Sequence, residues 1–162
     1  MNNRPTILIS GAFNPLHLGH LLLLKHASSY GEVIVALNSD MWIKKNKGYL
    51  LFNYAVREML LRDCPYVSDV VSFDDSDGTV CDAIRKVKPT FFGNGGTIRN
   101  NSIPEDEYKL CMEMDIVTIF GLGENEDDVE EKYLVLTQDS ILRHSINELD
   151  KLDKFREIHQ QQ

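Results

Sequence analysis

Ten residues near the start of the chain, GAFNPLHLGH (11–20), place two histidines three apart just after an apolar run, TILIS. That spacing puts His17 and His20 on one side of a helical turn, where both imidazoles can face one point. Gly11 lets the backbone come close to a ligand, and Gly19 removes a side chain that would block it. A helix entered here carries unpaired N–H groups and partial positive charge on its first turn, an anion site before any side chain is counted. Two imidazole donors added to oriented amides suit an α-phosphate passing through a five-coordinate state, whose equatorial oxygens gain charge. An HxxH pair alone describes equally well two histidines capping a helix. A zinc pair is a third reading, with His26 as its weak third ligand.

Two other stretches carry chemistry-bearing residues. NSDMWIKKNKG (38–48) reads as a polar loop with Lys44, Lys45 and Lys47. These are mobile point charges suited to phosphate, or else ordinary solvated lysines. GNGGTIRNN (93–101) gathers Gly93, Asn94, Gly95 and Gly96 ahead of Thr97 and Arg99. It is either a flexible turn or backbone left open for a nucleotide.

The elements that must position these stretches alternate in type. Strands are expected at 5–10, at EVIVAL (32–37), and at DVVSF, PTFFGN and DIVTIF. Helices are expected at 19–30, with Gly31 as the stop, and at 52–63, 79–87 and 104–114. The last of these opens with proline and acids, where the helix dipole favours them. KYLVLTQDSILRHSI reads as a short strand leading into a helix, and the final residues as a polar helical tail. Alternation of this kind gives an α/β fold: a Rossmann-like parallel sheet of about five strands with helices on both faces and right-handed crossovers. Ligands in such sheets sit at the carboxyl ends of strands, which is where all three stretches fall. We expect a main domain over 1–146 and a helical tail over 147–162.

The chain has 162 residues, 43% of them hydrophobic, and a net charge of −8. One domain of this size buries a full core, and the acidic balance argues against general nucleic-acid binding. ENEDDVEE (124–131) holds six of the 25 carboxylates and reads as a solvated loop, without the spacing of a calcium site. No run approaches a membrane span, and no signal peptide is evident. Cys64, Cys81 and Cys111 form neither a disulfide framework nor a zinc ribbon, so a reducing cytoplasm is expected.

The full string G-x-F-N-x-x-H-x-G-H is far more specific than HxxH. It resembles the phosphate-binding signature of the cytidylyltransferase-like nucleotidyltransferase superfamily, usually G-x-F-D-x-x-H-x-G-H. Asn14 stands where many members have Asp; an Asn-Pro form occurs in the nicotinamide and nicotinate mononucleotide adenylyltransferase branch. The resemblance implies transfer of a nucleotidyl group from CTP or ATP, with Mg²⁺ accompanying the nucleotide and pyrophosphate released. It implies that His17 and His20 stabilise the transition state, with Lys44 beside them. Ser10, Gly11, Ala12, Phe13, Asn14 and Gly19 would line the phosphate path, and Arg57 would contact phosphate. Gly93, Asn94 and Gly95 would meet the nucleotide. Ser140 and Arg143, in TQDSILR (137–143), would hold its outer phosphates, although Gln138 and Asp139 depart from the usual pattern there. Lys45, Lys47 and Arg99 would hold the acceptor phosphate.

The NSD segment with its lysines is similar to that of sugar- and polyol-phosphate nucleotidyltransferases, which favours such an acceptor. The alternatives are a mononucleotide adenylyltransferase and a nucleotide-binding module without catalysis. No resident metal and no membrane partner are expected, and the resemblance allows a homodimer.

Overall fold

The computed structural model describes residues 4–95, 103–123, 146, 149 and 150. Along them run β1 (Thr6–Gly11), α1 (Leu18–Ser28), β2 (Glu32–Leu37), α2 (Asp40–Lys47) and α3 (Tyr54–Arg62). There follow β3 (Asp69–Val71), α4 (Cys81–Val87), β4 (Phe91–Gly93), α5 (Glu105–Glu113) and β5 (Val117–Ile119). The five strands pair in parallel in the order β3-β2-β1-β4-β5, the α/β Rossmann-like sheet that the alternating pattern requires. The chain steps outward from β1 through β2 to β3, then returns to the other side of β1 for β4 and β5. That reversal makes a crevice at the carboxyl ends of β1 and β4. The GAFNPLHLGH stretch leaves β1 at that point.

β1 lies at the centre because it is apolar on both faces. Ile7 and Ile9 belong to a core layer with Leu24 and Ala27 of α1 and Leu61 of α3. Leu8 belongs to the opposite layer with Ala83 and Ile84 of α4 and Leu110 and Cys111 of α5. A strand covered on both sides reads as a continuous apolar run rather than an alternating one, as TILIS and EVIVAL do. The sheet and these helices lie within one compact unit, Met1–Glu126. Expected and observed boundaries agree within two residues for the helices after α1 and α2 and for β1 and β2. The acidic run, TQDSILR and all of the expected tail but residues 149 and 150 fall outside the described residues. Cys64, Cys81 and Cys111 are free and buried. Among the described residues no helix is long and apolar enough to cross a membrane.

Two local expectations are corrected. NSDMWIKKNKG is a helix, not a loop. Ser39 caps it by accepting from Trp42 N at 3.1 Å, Asp40 sits in its first turn, lysines fill its last turn, and Gly48 ends it at φ 85°. Each is a standard helix-end signal, but Ile43 is the helix's sole buried residue, so the apolar periodicity is faint. Gly31 does not stop α1, whose C-cap is Ser29. Gly31 is needed for packing instead: a Cβ there would lie 2.2 Å from the Pro5 carbonyl oxygen. Glu32 N donates to that same oxygen at 2.8 Å, locking the entry of β2 beside β1. Replacing Gly31 by Ala should therefore cost about 1–3 kcal/mol through backbone displacement. A thermal melt would show this as a fall of several degrees, and an unchanged melting temperature would contradict the packing.

Candidate active site

The loop from β1 enters α1 through a reciprocal cap made by the two histidines. His17 is the N-cap, and its Nδ1 accepts from His20 N at 3.4 Å. His20 Nδ1 accepts from His17 N at 3.3 Å. The two rings stack with centroids 3.7 Å apart, and Phe13 lies against His20 at 4.7 Å. A ring nitrogen that accepts from an amide carries no proton, so in the neutral form each ring bears its proton on Nε2. Burial lowers the pKa of His17. Burial, followed by the charge of His17, lowers that of His20 to about 3. Both rings are therefore neutral Nε2–H donors near pH 7. Among the described residues no acceptor meets Leu18 N or Gly19 N, the first two amides of α1. The helix-capping and anion-site readings of the HxxH pair thus coexist: capping through Nδ1 is what frees Nε2–H.

The approach to this cap is shaped by Phe13, which is buried and holds φ 47°. Gly11 leaves room for its ring; a Cβ there would come within 2.9 Å of Phe13 Cε2. Asn14 supports the loop from its far side. Its Oδ1 accepts from Leu51 N and Phe52 N at 2.9 and 3.1 Å, and its Nδ2 donates to the Tyr49 carbonyl at 3.3 Å. The side chain that distinguishes Asn from the usual Asp is thus spent on the 49–52 segment.

Arg57 departs from its expected role. Its side chain has no exposure. Nε donates to the Phe52 carbonyl, and Nη1 to those of Ala12 and Asn38, each at 2.9 Å; Nη2 meets Asp40 Oδ1 at 2.7 Å. Four of its five N–H groups are committed within the protein, so it braces the loops instead of contacting phosphate. Asn38 N also donates to the Gly11 carbonyl at 3.0 Å, so the exits of β1 and β2 are joined twice.

Beside these exits lies a cavity of about 520 Å³, lined by Leu37, Ser39, Asp40, Met41, Lys44, Tyr54, Ser72 and Phe73. Lys44 reaches it; Lys45 and Lys47 do not line it, and Lys47 lies 6.0 Å from the Trp42 ring. Asp75, which the sequence does not mark as a site residue, is buried beneath Ser39.

The glycines after β4 have a packing reason of their own. A Cβ on Gly93 would come within 2.5 Å of Ile9 Cδ1 and 2.6 Å of Leu122 Cδ1, and one on Gly95 within 2.8 Å of Leu23 Cδ1. These glycines serve close packing, and Asn94 N and O are bonded to Ile119 O and Leu122 N. His26 Nδ1 accepts from Gly123 N at 2.9 Å and so holds α1 to the β5 exit rather than a metal. Among the described residues no three His, Cys, Asp or Glu side chains gather as a metal site. Thr97, Arg99, Ser140 and Arg143 lie outside the described residues.

Fold and site together define an α/β domain with a histidine-capped helix entry at its switch point. The chain belongs to the cytidylyltransferase-like family of nucleotidyltransferases, which it matches over residues 8–161. It is 32% identical over 131 residues to the bifunctional protein HldE of Aliarcobacter butzleri, covering 74% of this chain and 27% of that protein. It is 36% identical over 96 residues to the FAD synthase of Pyrococcus abyssi, covering 58% of this chain and 64% of that one. It thus spans less than two thirds of either relative. A lipopolysaccharide core biosynthesis protein from Thermoplasma volcanium shares the fold, with TM-score 0.61 and 21% identity over 76% of this chain and all of that one.

Two outcomes follow from this geometry. Lysine offers three donors from one point and cannot serve four acceptors spread around a planar fork. Arg57→Lys should lose at least about 2 kcal/mol of stability in denaturant unfolding; a loss within error would contradict the brace. Folded His20 stays unprotonated down to about pH 3, whereas an unfolded histidine binds a proton below about 6.5. Between those values the unfolded state holds more protons, so stability rises with pH and the His20 contribution is complete above about 6.5. Wild type should therefore lose more stability than His20→Gln between about pH 7 and about pH 4.5. An equal loss would mean that the ring is not held neutral.

Proposed function

We propose that this protein transfers a nucleotidyl group from the magnesium complex of CTP or ATP to a sugar- or polyol-phosphate. An acceptor phosphate oxygen attacks the α-phosphorus, the bond to the bridging β-phosphate oxygen breaks, and pyrophosphate leaves with that electron pair. No covalent enzyme intermediate is needed, and no protein group has to move a proton. The reading rests on one observation: the reciprocal His17–His20 cap, which leaves two neutral Nε2–H donors beside the free amides of Leu18 and Gly19. Donors fixed before the reaction stabilise the growing equatorial charge without reorganising.

The cavity beside Lys44 is the place we assign to the acceptor. The Lys44 ammonium suits a phosphate, and the oxygens of Ser39, Asp40 and Ser72 suit the hydroxyls of a polyol. Lys45 and Lys47, on the exposed end of α2, would add to the local positive field. The FAD synthase relative keeps an adenylyl donor in the comparison. The Asn14-Pro15 feature remains the support for the alternative, a nicotinamide or nicotinate mononucleotide acceptor.

Pyrophosphate release should be screened with CTP and ATP against a panel of sugar and polyol phosphates. One donor–acceptor pair should give turnover, and His17→Ala and His20→Ala should each lower kcat by about 10²-fold or more. A loss under about threefold in both would remove the histidines from the chemistry.

A further inference from the structure

Asp75 lies between β3 and α4, yet its carboxylate is buried under the start of α2. Oδ2 accepts from Ser39 N at 2.8 Å and from Asn38 Nδ2 at 3.2 Å. Oδ1 accepts from Ser39 Oγ at 2.7 Å, and that same Oγ accepts from Trp42 N at 3.1 Å. A hydroxyl has one proton to give. Asp75 takes it, which leaves an oxygen lone pair aimed at the first turn of α2. The carboxylate therefore fixes the N-cap that starts the helix.

That helix forms one wall of the cavity through Asp40, Met41 and Lys44. A second wall is formed by Ser72 and Phe73, three and two residues before Asp75 in the chain. Asp75 is thus covalently part of one wall and hydrogen-bonded to the other. Asp40 is fixed separately by Arg57 at 2.7 Å, but Lys44, one turn further along, has no ion pair among the described residues. Its direction depends on where α2 points.

We propose that Asp75 is a positioning residue for acceptor-phosphate binding. It touches no substrate; it holds α2 against the β3 exit so that Lys44 faces the cavity. The inference rests on the acceptor reading given above.

Trp42, the single tryptophan of the chain, sits on α2 and makes intrinsic fluorescence a reporter of that helix. Inorganic phosphate is the probe. Wild-type protein should show a saturable change in Trp42 emission, and Lys44→Ala should abolish it. Asp75→Asn turns one of the two acceptor oxygens, which together take three hydrogen bonds, into a donor. It should raise acrylamide quenching of Trp42 and weaken phosphate binding by at least about tenfold, the scale of one charge-assisted hydrogen bond. The thermal shift produced by CTP or ATP, read at the other loop, should stay as in wild type. If Asp75→Asn does not fold, Ser39→Ala carries the test, with the same direction and a smaller size. A wild-type protein without a phosphate response, a response that survives Lys44→Ala, or an unchanged phosphate affinity in a folded variant would overturn the proposal. Loss of nucleotide binding with the Trp42 results intact would instead count against the nucleotidyl-transfer reading alone.

Discussion

A guanidinium with no access to solvent ties together the parts of the chain that matter for chemistry. Burying such a charge costs several kcal/mol unless it is paired and its donors are met. Here Asp40 supplies the opposite charge, and the carbonyls of Ala12, Asn38 and Phe52 supply the remaining acceptors. Those carbonyls belong to the loop after β1, the loop after β2 and the entry to α3. The loop after β1 and the start of α2 therefore share one anchor. Asn14 and Asp75 repeat the device on a smaller scale, each using one polar side chain to hold a distant segment by its backbone.

An acidic net charge does not exclude the anion site proposed at the helix entry. Net charge acts weakly beyond about 8–10 Å at physiological salt, so the local donors decide. At the helix entry they are neutral: two imidazoles whose Nδ1 atoms are occupied by the backbone, and amides left open by the helix start. Neutral donors need no counter-charge while the site is empty, and burial that would penalise an imidazolium leaves them untouched. The full charges, Lys44 and Asp40 on α2 and Arg57 on α3, lie beside that entry, the first without an ion pair among the described residues and the other two consumed by the fold.

How much of this was legible depends on what each residue's signal was about. The sheet was, because unbroken apolar runs separated by helical stretches admit few topologies. The histidine string was, because its spacing fixes a helix entry. α2 was missed because its evidence lies in its ends and not in an apolar face. Arg57 was legible as a special residue but not in its role: an arginine near a phosphate loop looks the same whether it points at ligand or at carbonyls. Gly93 and Gly95 are ambiguous in a similar way, since glycine answers to crowding by Ile9, Leu122 and Leu23 as readily as to a nucleotide. Asp75 carried no signal at all, because its partners are brought to it by the β2–β3 pairing and not by the sequence around it.

The helix entry at His17 and His20 is proposed to hold the phosphates of a nucleotide. Thermal melts of the protein with CTP, ATP, GTP and UTP, each with Mg²⁺, test it without knowledge of the acceptor. A nucleotide at about 100 times its dissociation constant adds about 2.7 kcal/mol, which is about 5–10 °C for a domain of this size. CTP or ATP should stand out by such a shift, and His17→Ala and His20→Ala should diminish it. No shift with any of the four, or a shift indifferent to both histidines, would contradict the proposal.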